Sequence, residues 1–85
     1  MMLPRMFRRK MSIAQLERLA QRLPVADAPP ALASLRHICD SEPSADSFIA
    51  DMLHWSLWQD KQTDQLWIHC RGGVAGLDVW YGPGT

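Results

Sequence analysis

The spacing of apolar and polar positions changes along this chain. In "SIAQLERLAQRL", Ile13, Leu16, Leu19, Ala20 and Leu23 recur at helical spacing, while Glu17, Arg18, Gln21 and Arg22 fall on the other side. Ser12, with Gln15 three residues on, has the spacing of a capping box, and Pro24 ends the run. An amphipathic helix is predicted here. After the prolines of "VADAPP", Ala31, Leu32, Leu35, Ile38 and Cys39 share one helical face, which predicts a second helix ending near Asp40. "SEP" interrupts it, and Ser44 is placed to cap a third helix from about Ala45 to Asp60.

That third segment has an unusually wide apolar arc. Ala45, Phe48, Ile49 and Met52 form a core stripe, extended by Leu53 and Leu57 on one side and by Trp55 and Trp58 on the other. Polar character is confined to a narrow strip around Ser47, Asp51 and His54. Read as a helix, such a segment must be covered on more than one side.

From Gln65 the period becomes two. "QLWIHC" alternates, "RGG" turns, and "VAGLDVWY" resumes with β-favouring residues. A two-residue turn at Gly72–Gly73 pairs Ile68 with Leu77, Leu66 with Val79 and Cys70 with Ala75 on an apolar face. Trp67, His69, Asp78 and Trp80 then share the outer face, with Trp67 and Trp80 as diagonal neighbours. A lone hairpin is not stable in water, so it must lie on the helices. The expected fold class is therefore α+β, three α-helices followed by a C-terminal β-hairpin packed on them. Residues 1–11 are expected to be a disordered basic arm, 12–81 a single domain and 82–85 a tail.

Composition narrows this picture. A length of 85 residues with 47% hydrophobic positions suits one small core rather than disorder. Two cysteines are too few for a disulfide scaffold and read as reduced thiols, which places the protein in the cytoplasm. No apolar run approaches the roughly 20 residues needed to span a bilayer. Charge is balanced overall but not locally. Residues 1–22 hold six cations against Glu17, whereas residues 23–60 hold six acids against Arg36.

Several motifs suggest chemistry that their surroundings do not support. "WIHCRGG" resembles the cysteine loop of rhodanese-like sulfurtransferases and cysteine-dependent phosphatases, in which backbone N–H groups cradle an anion. The phosphatase loop needs an arginine six residues after the cysteine, where this chain has Gly76, and both loops need a helix after them rather than a strand. Cys70 is instead expected as a small buried side chain. His37 with Cys39, and His69 with Cys70, lack the spacing that closes a zinc site. No catalytic constellation, metal or cofactor is expected.

Helix–helix–helix–hairpin is also the order of a winged-helix DNA-binding domain. The helix that would enter the major groove has no Lys or Arg between Pro43 and Asp60, and carries Asp46, Asp51 and Asp60. A winged-helix transcriptional regulator is thus the alternative reading. The principal one is a small non-enzymatic regulatory protein, of bacterial or phage type, that binds another protein as adaptor, antagonist or anti-activator. Trp67, Trp80, His69, Asp78, Trp55 and Trp58 are its expected binding residues, since tryptophan buries large area at small entropic cost. A homodimer is expected, through the tryptophan side of the third helix or through hairpin edges.

Overall fold

The computed structural model describes residues 11–41, 53–73 and 75–84. The expected arm before Met11, and positions 45–52 of the expected third helix, lie outside these residues. Among the described residues, one α-helix, α1 (Ile13–Ala20), precedes a one-turn 3-10 helix at Leu32–Ser34 and four strands. The strands are β1 (Leu35–Asp40), β2 (Leu53–Asp60), β3 (Leu66–Gly72) and β4 (Leu77–Gly84), paired antiparallel in the order β1-β2-β3-β4.

The first helix forms where the pattern places it. The Ser12 hydroxyl accepts from the Gln15 amide at 3.1 Å, and the Gln15 side chain accepts from the Ser12 amide at 2.9 Å. Both ends of the capping box are therefore closed. Leu16 and Ala20 are buried against Cys39, Trp55, Leu57, Ile68 and Cys70 of the sheet. This layer of helix on sheet is the hydrophobic core among the described residues.

The expected fold class is corrected: among the described residues, the second and third helices are replaced by strands, the first of them after one 3-10 turn. "LRHICD" is β1, and "LHWSLWQD", the end of the expected third helix, is β2. In β2 the alternate residues Leu53, Trp55, Leu57 and Gln59 face α1, and His54, Ser56 and Trp58 face away. A strand sends successive side chains to opposite faces, so apolar residues on both faces appear as a wide arc when read as a helix. β1 hides its period because a bulge between His37 and Cys39 shifts the register by one residue. The helix–helix–helix–hairpin order from which the winged-helix alternative is drawn is corrected with it.

The hairpin is present, but four residues further along than expected. His69 pairs with Trp80, Cys70 with Val79, Arg71 with Asp78 and Gly72 with Leu77. An even shift preserves the faces, so Leu66, Ile68 and Cys70 still point to the core. The strand also continues to Gly84, past the expected domain limit at 81. Its outer edge is already engaged: Val25 bridges Tyr81, the Ala26 amide donates to the Trp80 carbonyl at 2.9 Å, and the Gly82 amide donates to the Pro24 carbonyl at 2.7 Å. The four-stranded sheet is formed within one chain.

The segment after α1, residues 24–34, is a strap that binds the β4 edge and then joins β1 at the opposite edge. It reaches β1 across the face that α1 leaves uncovered. Near β1, the Lys61 amide donates to the Ser34 carbonyl at 2.9 Å and the Lys61 amine to the Ala33 carbonyl at 3.1 Å. Helix and strap therefore hold the sheet from its two sides.

Candidate functional site

Among the described residues no helix covers the sheet face opposite α1, and strand register arranges this helix-free face as three rows. The middle row reads Asp40, Ser56, His69, Trp80 from β1 to β4. On one side lie His54, Arg71 and Asp78, and on the other His37, Trp58 and Trp67. All three histidines of the chain are on this face, with three of its four tryptophans. Trp55 is the exception: it is buried on the helix side and stacks on Tyr81 at 6.1 Å.

Trp80 is the hub of the aromatic cluster. Its ring stacks on His69 at 4.1 Å and lies 5.8 Å from Trp58 and 6.3 Å from Trp67, while Trp58 meets the edge of His37 at 4.9 Å. Trp80 is only 7% exposed. The strap explains this, because Val25, Ala26, Asp27, Ala28 and Pro29 form a cavity wall over Trp80. The sequence correctly placed Trp67 and Trp80 on one face, but the strap that covers Trp80 left no periodic signal.

The polar groups of this face are paired diagonally. One oxygen of Asp40 accepts from His37 Nε2 at 2.9 Å and from His54 Nε2 at 3.0 Å. Partial burial by itself would raise the Asp40 carboxyl, but the hydrogen bonds and charge of the two imidazoles outweigh it and hold the group below the usual carboxylate range. His69 Nε2 donates to Asp78 at 2.6 Å. Arg71, the register partner of Asp78, has no carboxylate within ion-pair distance among the described residues.

These rows enclose a cavity of about 510 Å³ lined by Leu32, Asp40, His54, Ser56, Trp58, His69, Arg71 and Trp80. Leu32, on the strap, is 57% exposed at its margin. Sequence reading missed Leu32, His54 and Arg71; only the pairing of β2 with β3 shows that they belong with the tryptophans. It also placed Trp55 in the binding set, whereas the structure separates Trp55 from the other five expected residues by the thickness of the sheet.

Among the described residues, the hydroxyl in the groove is bonded to an indole and not to an imidazole. Ser56 is the register partner of His69, which bonds Asp78 diagonally, yet the Ser56 hydroxyl accepts from the Trp58 indole at 2.8 Å, and among the described residues no hydrogen bond joins it to His69. A nucleophile needs that link to its base. Cys39 and Cys70 are free and buried on the core side. Burial pushes both thiols up, with a smaller contribution from nearby Glu17 at Cys70. Among the described residues, no three His, Cys, Asp or Glu side chains are grouped to hold a metal ion, and no helix is long and apolar enough to cross a membrane. No protein-family model, curated protein or solved structure matches the chain.

Proposed function

We propose that this protein is a non-enzymatic regulator that binds another protein through the helix-free face of its sheet. The observation that carries the reading is the concentration of Trp58, Trp67, Trp80, His54, His69 and Arg71 around a concave surface. The core on the other side is built without them. Concave sites with aromatic walls and a few convergent polar groups are the usual form of a binding site. Aromatic residues and arginine also dominate the energetics of protein interfaces. The partner's segment would enter past Leu32 and rest on the tryptophan rings, with Arg71 and the histidines fixing its orientation.

Site-specific photocrosslinking tests this reading. A photoreactive residue at His54 or Arg71, both exposed, is expected to trap one specific protein in the native host. The same residue at Arg18, exposed on α1, is expected to trap none. Crosslinks arising only from position 18 would place the interface on the helix side and overturn the proposal.

A further inference from the structure

We infer that the segment received by this face is acidic, and that the face takes it most tightly when its three histidines are charged. This deepens the reading above and rests on it. Both acceptors in the rows, Asp40 and Asp78, are occupied by imidazoles of the same chain. Among the described residues, the charge on this face without an ion-pair partner is a cation, Arg71, which loses its register partner Asp78 to His69. A carboxylate brought in by a partner fits the two-pronged guanidinium beside His54, its own register partner.

The charge of the face depends on pH. With neutral imidazoles, Arg71 stands against Asp40 and Asp78, leaving one net negative charge. Protonating His37, His54 and His69 turns this into two net positive charges. Imidazoles as a class gain a proton in mildly acidic solution. Among the described residues, the remaining charged groups nearby do not reverse it. Asp60 is turned into its own loop by the Gln62 and Thr63 amides, Lys61 holds the Ala33 carbonyl, and Asp27 lies on the strap beside Trp80. An acidic segment therefore meets repulsion at high pH and attraction at low pH, with the tryptophan platform unchanged.

The test is a tryptophan-fluorescence titration of the full chain with acetylated hexaglutamate at about pH 5.5 and 8, where this peptide stays mainly ionised. Hexalysine and a single-stranded hexadeoxynucleotide serve as comparators. Hexaglutamate is expected to bind about tenfold more tightly at the lower pH. Arg71→Gln should weaken it at both pH values, and His54→Gln should reduce the pH step while the far-UV circular dichroism stays unchanged. Equal affinity at the two pH values, no binding, or preference for hexalysine would overturn the inference. Tighter binding of the oligonucleotide would do so as well, and would reassign the face to nucleic acid. If the peptide fails while positions 54 and 71 still crosslink a protein, the acidic chemistry is wrong and the docking surface stands.

Discussion

At Asp40, one carboxylate oxygen accepts from two imidazoles, and the charged form of the group is favoured in the folded protein. Its folded pKa is lowered, so its contribution to stability is present above the unfolded value of about 3.9 and is lost as pH falls through the folded value. Asp60 acts in the same direction, because the Thr63 and Gln62 amides stabilise its carboxylate. Asp40→Asn should therefore flatten, but not abolish, the fall in urea midpoint below about pH 4. The effect is modest because Asp40 is partly open to water, which screens the interaction. Trp80 behaves differently. It is buried among His69, Trp58, Trp67 and the strap, so Trp80→Ala should cost about 3–5 kcal/mol in urea unfolding. His54→Ala, at an exposed position, should stay within about 1 kcal/mol.

Among the elements, β4 shows how a small sheet accommodates a large ring. Gly82 has φ +142°, and a Cβ there would stand 2.9 Å from the Leu66 carbonyl and from the Trp67 indole. The β3–β4 register shifts between Leu66 and Ile68, which is where Trp67 lies over this glycine. Gly82→Ala should destabilise the protein by more than the roughly 1 kcal/mol typical of a surface change, and should alter the near-UV circular dichroism of Trp67. An unchanged spectrum and midpoint would show that β4 is not held against Trp67 in this way. Legibility in the sequence followed local signals. α1 could be read because its cap and stripe lie within one short segment, and the faces of β3 and β4 could be read because alternation survives an even register error. β2 could not, because Trp55 and Trp58 make both of its faces apolar. β1 could not, because its bulge breaks the alternation between His37 and Cys39. The groove depends on pairings across four strands, so Arg71 and His54 carried no mark of their place beside Trp80.

Across the whole molecule, the sheet separates two environments. The helix side holds aliphatic residues, both thiols and Trp55, and supplies the packing that keeps the strands in register. The other side holds the histidines, the remaining tryptophans and Arg71, with a strap over part of it. This division gives each tryptophan indole a distinct role as a reporter. With the crosslinked partner in hand, the most direct measurement is the set of four indole N–H resonances of the nitrogen-15-labelled protein, recorded with and without that partner. The resonances of Trp58, Trp67 and Trp80 should move while that of Trp55 stays in place. Movement of Trp55 alone, with the other three unchanged, would contradict binding at the helix-free face.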